Sequence, residues 1–222
     1  MAYHFSMTNK LLTGFERFRS KYYDKPDSLM EKLVQEGQAP KYFIVSCIDS
    51  RSSPATIFDM APGTFFGHKA MGAIVRPYNQ GTALSAALQF TLNYNKVEEI
   101  IVLGHTGCGA VQALLENIED VEIASFLRVA QQAAEKARAQ KSDIDLQRRT
   151  EEALILQSAA NLETYPSVAK ALAENRVKIH SWLFDMHNGI LQAYHPAKKT
   201  FITIAERGSC ENKLDFCCHG GL

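Results

Sequence analysis

The feature that most constrains this sequence is the apolar run Ile-Ile-Val-Leu at residues 100–103, together with the turn that follows it. Four consecutive aliphatic residues predict a strand that is buried on both faces, as in a parallel sheet. His105 and Cys108 come directly after the run, among glycines, at the end of the strand where open α/β sheets place their sites. An imidazole and a thiol three residues apart can share one metal ion. The spacing alone fits a buried thiol beside a chance histidine equally well.

A second apolar run, Tyr-Phe-Ile-Val at residues 42–45, is followed two residues later by Cys47. Because the carboxyl ends of parallel strands meet at one edge of a sheet, we expect the groups that follow the two runs to converge. Two thiols and one imidazole form the three-residue set of a catalytic zinc whose fourth position is open to water. The predicted metal ligands are Cys47, His105 and Cys108.

Length and charge exclude several classes of protein. The chain has 222 residues, enough for a complete core in one α/β domain. Lys plus Arg and Asp plus Glu both number 24, so no net positive field favours nucleic acid or an anionic membrane. No apolar run approaches the ~20 residues of a membrane span, and the N-terminal residues do not resemble a secretory signal. Five cysteines without framework spacing argue against a disulfide-stapled secreted domain. We therefore expect a cytoplasmic protein with no nucleic-acid or membrane partner.

Strand and helix patterns alternate along the chain, which predicts an α/β fold with βαβ crossovers, a mostly parallel central sheet and flanking helices. Ser28 and Glu31 predict a capped helix that Gly37 ends. Residues 64–69 predict a strand, and residues 82–94 and 109–116 predict helices. In the first of these two helices the face expected to point inward comprises Ala83, Ala86, Ala87 and Phe90.

The second half of the chain predicts helices and then a hairpin. Residues 121–161 lack Gly and Pro and predict two long helices, broken near Ser142, that form a solvated layer. Residues 177–186 alternate as a strand does, Asn188-Gly189 is a hairpin turn signal, and residues 190–195 are expected to return antiparallel.

We expect one domain over residues 1–222, with an N-terminal helical arm at 1–27 and a tail at 206–222. Helical spacing of Leu11, Phe15 and Phe18 fits either an arm that packs on a neighbouring subunit or an ordinary peripheral helix. In the tail, His219 lies beside Cys217 and Cys218, and we favour a plain terminus over a second zinc site because the motif is weak.

The motifs Cys47-Ile48-Asp49-Ser50-Arg51 and Gly104-His105-Thr106-Gly107-Cys108-Gly109 resemble those of the β-class carbonic anhydrases, and the resemblance extends over about residues 29–194. It implies one zinc ion per chain on Cys47, His105 and Cys108, and a homodimer or dimer of dimers with active sites at subunit interfaces. The implied reaction is the reversible hydration of CO2 to bicarbonate and a proton by attack of zinc-bound hydroxide.

Asp49 and Arg51 fit this chemistry as catalytic residues. Asp49 is expected to accept a hydrogen bond from the hydroxide and to aim its lone pair at CO2, and Arg51 to hold Asp49 ionised. A surface ion pair is the alternative. The resemblance makes Asp49 a metal ligand only in a closed, inactive state, stabilised by bicarbonate beside a Trp and an Arg. Ile44 and Lys69 occupy those positions here and are poor substitutes, so we expect Asp49 to stay paired with Arg51.

The resemblance also implies substrate-binding roles for Gln38, Phe66 and Gly109. Gln38 is expected to donate to an oxygen of CO2 or bicarbonate, and Phe66 to form an apolar wall. Phe90 stands where many members carry a pocket tyrosine, so that hydroxyl is missing. The run Lys69-Ala70-Met71-Gly72-Ala73 replaces an Arg-Asn-x-Ala-Asn run, which removes hydrogen-bonding groups near the site.

Two alternatives follow from these departures. A less polar pocket suits hydrolysis of a CO2 analogue such as carbonyl sulfide or carbon disulfide. The second alternative is a non-catalytic zinc protein with a structural or regulatory role. The presence of Asp49, Arg51 and Gln38 argues against this alternative, because a structural zinc requires none of them.

Overall fold

The computed structural model describes residues 8–206. In chain order its elements are α1 (Asn9–Tyr22), α2 (Leu29–Glu36), β1 (Tyr42–Cys47), α3 (Pro54–Ile57), β2 (Phe65–Ala70), α4 (Ala83–Asn93), β3 (Glu99–His105), α5 (Gly109–Leu115), α6 (Val121–Leu127), α7 (Gln131–Ala139), α8 (Leu146–Leu162), α9 (Pro166–Ala173), β4 (Lys178–Asp185), β5 (Ile190–His195) and β6 (Thr200–Ala205). Short 3₁₀ turns lie at Ser50–Ser52, Met71–Ala73 and Arg128–Ala130.

The strands of this part of the chain form one sheet in the order β2-β1-β3-β4-β5-β6. The first four strands are parallel, and β5 and β6 run antiparallel to their neighbours. From β1 the chain winds outward to β2 and then crosses back to β3 on the other side of β1. The winding therefore reverses between β1 and β3, and the carboxyl ends of these two strands flank the crevice in which open α/β sheets bind ligands.

Helices cover both faces of the central parallel strands β1 and β3, which explains why these two strands are nearly continuous apolar runs. On one face, Ile44 and Ile101 pack with Phe58, which follows α3. On the other face, Phe43 and Val102 belong to the large cluster to which α4, α8 and α9 contribute. The predicted α/β class with a mostly parallel sheet and flanking helices is confirmed.

Several local predictions are confirmed as well. Ser28 caps α2, where its hydroxyl accepts the Glu31 N–H at 3.3 Å, and β4 and β5 form the predicted antiparallel hairpin. One detail differs from the expectation. A sixth strand, β6, pairs antiparallel with β5 at the edge of the sheet, and the sequence analysis did not predict it. β3 includes His105, which pairs with Phe184.

The predicted inward face of α4 is wrong except for Ala87, which is partly buried and packs against the core. Ala83, Ala86 and Phe90 are exposed, Phe90 by 55%. The buried residues of α4 are Leu84, Leu88, Thr91 and Leu92. The three leucines recur every fourth residue and present far more apolar area than alanines do, so they set the rotation of the helix against the sheet.

Where two long helices were predicted at residues 121–161, the structure has three, because the 3₁₀ turn Arg128–Ala130 separates α6 from α7. They are also not merely a solvated layer. α8 buries one side against the sheet, and the residues on that side are Thr150, Glu151, Leu154, Ile155, Ser158 and Leu162. By contrast, α1 buries none of its residues against the rest of residues 8–206.

No helix among residues 8–206 is both long enough and apolar enough to cross a membrane.

Gly104 lets α8 approach the centre of the sheet. A Cβ atom added at Gly104 would lie 2.5 Å from both Cγ1 and Cδ1 of Ile155. Both residues are buried, so there is little room for Ile155 to move away.

We expect Gly104→Ala to destabilise the fold by about 1–3 kcal/mol, the usual cost of overpacking a filled core. Gly109→Ala is the matched control, because a Cβ atom there meets nothing within 4 Å. Urea unfolding of the two metal-loaded variants measures the difference. Equal unfolding midpoints would show that α8 is not held at this close contact.

Candidate active site

The three predicted metal ligands meet at the carboxyl ends of β1 and β3. Cys47 is the last residue of β1, His105 is the last residue of β3, and Cys108 immediately precedes α5. Their ligand atoms all lie within 4.8 Å of one another. All three residues are buried, with 4%, 2% and 3% of their surface exposed. Buried soft donors at such separations can all reach one ion.

The imidazole of His105 is already oriented as a metal ligand. Its Nδ1 lies 3.0 Å from the carbonyl oxygen of Thr106. Because a carbonyl only accepts hydrogen bonds, a neutral ring carries its proton on Nδ1 and its lone pair on Nε2. Nε2 is buried and has no hydrogen-bond partner among residues 8–206. An unpartnered lone pair beside two thiols fits a bound metal ion, and a Cys2His donor set fits zinc.

The two thiols influence each other's ionisation. A hydrogen bond from Cys108, with another from the Gly72 N–H, lowers the pKa of the Cys47 thiol. The contact with Cys47, together with burial, raises the pKa of Cys108. The Gly72 N–H lies 3.3 Å from the sulfur of Cys47. The two sulfurs share one proton between them, whereas a dication placed between them binds both as thiolates.

Asp49 and Arg51 form a tightly bonded pair beside this cluster. The backbone N–H and Nε of Arg51 donate to Oδ1 of Asp49 at 2.9 and 3.1 Å, and Nη2 donates to Oδ2 at 2.8 Å. These bonds from Arg51 hold the pKa of the Asp49 carboxyl well below its usual range. The Asp49 side chain is 18% exposed. It therefore remains an ionised acceptor whose orientation Arg51 fixes.

Lys69 is also bonded at this edge of the sheet. Its Nζ donates to the carbonyl oxygen of Cys47 at 3.0 Å, and Ala70 pairs with Cys47 across the β1–β2 ladder. Lys69 thus supports the end of β1, next to the metal ligand.

Sequence reasoning missed Glu151, which α8 places against the backbone of the metal ligand Cys108. Its Oε1 accepts the Cys108 N–H at 2.9 Å and the Gln147 side-chain amide at 3.1 Å. Only 3% of Glu151 is exposed, and this burial raises the pKa of its carboxyl. Glu151 therefore fixes the backbone of a metal ligand. The available signal was an acidic residue in helical register with Leu154 and Ile155, on the buried side of α8.

The predicted substrate-binding residues do not all lie at this edge. Gly109 begins α5, next to Cys108. Gln38 is exposed and precedes β1, and Phe66 pairs with Phe43 near the start of β1. Cys47 lies four positions after Phe43, which is about 13 Å along a strand. Within one chain, Gln38 and Phe66 thus lie at the opposite end of the strands from the metal ligands.

Cys210, Cys217, Cys218 and His219 lie outside the described residues.

Comparison with known proteins agrees with this geometry. The sequence model of the carbonic anhydrase family matches residues 42–191. A carbonic anhydrase of Pseudomonas aeruginosa is 31% identical, over 88% of this chain and 91% of the relative. The solved structure of the β-carbonic anhydrase CcaA superposes with a TM-score of 0.81 at 26% identity, over 91% of this chain and 94% of the other.

A second structural match extends the likeness in fold. One of two tetrameric β-carbonic anhydrases from Sordaria macrospora has a TM-score of 0.69 at 24% identity, over 86% of this chain and 95% of the other. The matched sequence spans β1 to β5 and includes every predicted metal ligand. A donor set of two thiols and one imidazole beside an Asp–Arg pair, on this sheet and within this match, places the chain in the carbonic anhydrase family, in its β class.

Proposed function

We propose that this chain catalyses the reversible hydration of CO2 to bicarbonate and a proton at a zinc ion held by Cys47, His105 and Cys108. The convergence of these three buried donors beside the Asp49–Arg51 pair is the observation that carries the proposal. Membership of the carbonic anhydrase family supports it. Zinc bound at three protein ligands lowers the pKa of a coordinated water to about 7 and so supplies a nucleophile at neutral pH.

Asp49 orients the attacking water. Both of its oxygens are bonded to Arg51, so the carboxylate stays ionised and can only accept hydrogen bonds. A water that donates one proton to Asp49 has the lone pairs of its oxygen directed elsewhere, toward the carbon of CO2. Fixing that direction in advance removes an orientational cost from the reaction.

Gln38 and Phe66 are supplied by a second copy of the chain. They lie too far from the metal ligands of their own chain, and α1 leaves Leu11 and Phe15 exposed by 73% and 59%. Covering these apolar side chains with another subunit is favourable. A homodimer that places Phe66 of one chain beside the metal site of the other satisfies both observations. The named tetrameric relatives of Sordaria macrospora are compatible with further assembly.

Replacing His105 by Ala is expected to abolish tight zinc binding, because the only imidazole of the donor set is lost. Metal analysis after dialysis measures the effect. His195→Ala, at the end of β5, is the control and should retain about one zinc ion per chain. Stoichiometric zinc in a His105→Ala, Cys108→Ala double variant would refute the assignment.

Asp49→Asn is expected to lower turnover about 10²-fold, the scale of a group that positions a reacting proton, with zinc content and unfolding temperature unchanged. Stopped-flow CO2 hydration measures turnover. Glu174→Gln is a matched control, because Glu174 also pairs with an arginine two residues later. If the two variants behave alike, Asp49–Arg51 is only a surface ion pair. Release of sulfide from carbonyl sulfide, faster than CO2 hydration, would favour the analogue as substrate.

The shared site predicts complementation between defective chains. A His105→Ala chain and a Gln38→Ala, Phe66→Ala chain should each have low CO2 hydration activity. When equal amounts are refolded together, about half of the dimers are mixed, and each mixed dimer contains one complete site of its two. The mixture should therefore regain about a quarter of the wild-type activity. His105→Ala mixed with Cys108→Ala should regain none. If Gln38 and Phe66 act within their own chain, the first mixture should regain none either.

A further inference from the structure

A cavity of about 420 Å³ lies on the sheet face that carries the sulfur ligands. Its wall includes His68 and Ala70 of β2, then Ile74, with the start of α4 and residues of the 121–130 region opposite. Ile74 packs in the same cluster as Cys47 and Cys108. The cavity therefore adjoins the metal site from within the fold.

His68 lies within reach of that site. Ala70 pairs with Cys47, and His68 pairs with Val45, two residues earlier on each strand. Strands about 4.8 Å apart that rise 3.3 Å per residue place the α-carbons of His68 and Cys47 about 8 Å apart. Because side chains alternate along a strand, His68 projects on the same face as Ala70, toward the cavity. One or two water molecules can bridge such a separation.

The imidazole of His68 is not engaged elsewhere. It is half-buried and makes no hydrogen bond or ion pair with any residue in the range 8–206. The other titratable or charged groups of the cavity are Arg76, which donates to the carbonyls of Ser125 and Phe126, and Tyr165, which donates to the carbonyl of Arg76. No carboxylate lines the cavity to hold His68 protonated, and burial lowers the pKa of His68. At neutral pH the ring is an uncharged proton acceptor.

His187 is a less suitable acceptor for the same site. It lines a cavity of about 410 Å³ with Arg51, Phe184 and, from the turn between the metal ligands, Thr106 and Gly107. Phe184 belongs to the opposite face of the sheet, with Ile44. Arg51 stays charged and lines the same cavity as His187, and a fixed cation opposes the arrival of a second positive charge.

We propose that His68 is the proton-relay residue of the hydration reaction. The proposal rests on the proposed function. Hydration converts CO2 and water into bicarbonate and a proton. The neutral His68 ring takes up that proton through intervening water and becomes an imidazolium. It then passes the proton to a buffer base in solvent and returns to the neutral form.

His68→Ala tests the relay at low and high buffer concentration. At low buffer we expect kcat to fall about 10- to 100-fold, at or below the low end of the range for positioned acid–base groups. Proton delivery follows hydration, so kcat/KM should remain within about twofold of wild type. Added imidazole buffer should restore kcat. His68→Gln, which fills the site but cannot titrate near neutral pH, should show the same defect and the same rescue.

His187→Ala is the matched control and should retain wild-type kcat at low buffer. Wild-type kcat in both His68 variants at low buffer would overturn the relay, as would a buffer-rescued loss in His187→Ala alone. If the wild-type chain does not hydrate CO2, the proposed function itself has failed, which is a distinguishable result.

A second readout does not depend on turnover. NMR titration of the histidine rings, with His68 assigned from the His68→Gln spectrum, should show His68 titrating below the ordinary histidine value and neutral at pH 7.5. A His68 ring that stays protonated above pH 7.5 cannot accept the proton and would also overturn the proposal.

Discussion

The lateral pairing of β1 with β3 is the constraint on which the rest of the structure depends. Ser46 lies level with Leu103 in the ladder, so Cys47 and His105, one and two positions later, lie at neighbouring strand ends. The ladder consists of backbone hydrogen bonds, which depend little on the side chains they position. The reversal of winding between these strands leaves the edge beyond them uncovered. Two residues that are 58 positions apart in the chain are thereby brought to one point.

The metal ligands were predictable from the sequence because they stand directly at the ends of two recognisable strands. β1 and β3 are buried on both faces, so they appear as unbroken apolar runs, and the ligands stand directly after them. Predictions that depended on packing fared worse. The rotation of α4 was wrong because its alanines and leucines form two plausible stripes, and only contact with the sheet selects the leucines. Glu151 was missed because charged residues surround it in sequence, and its burial follows from where α8 docks. β6 was missed because, as an edge strand, it has one buried residue, Phe201.

The predicted site residues lie at both ends of the parallel strands. The carboxyl ends carry the reactive groups, whereas Gln38 and Phe66 lie near the amino ends. One chain therefore contains the whole set of predicted metal ligands, whereas the predicted pocket residues lie away from that set. The α1 helix likewise buries none of its residues within the part of the chain that the structure describes.

The hydrogen bond between His105 and the carbonyl of Thr106 affects how well this centre tolerates substitutions. The acceptor that sets the tautomer is a main-chain atom of the very next residue, 3.0 Å away. In many metal sites that acceptor is a side-chain carboxylate, which a single substitution removes. Here every amino acid at position 106 supplies the same oxygen. Only a different path of the backbone can take it away, and β3 and β4 hold that path by pairing His105 with Phe184 and by donating the Thr106 N–H to the Phe184 carbonyl. The pairing of β3 with β4 thus keeps the imidazole in the tautomer that binds metal.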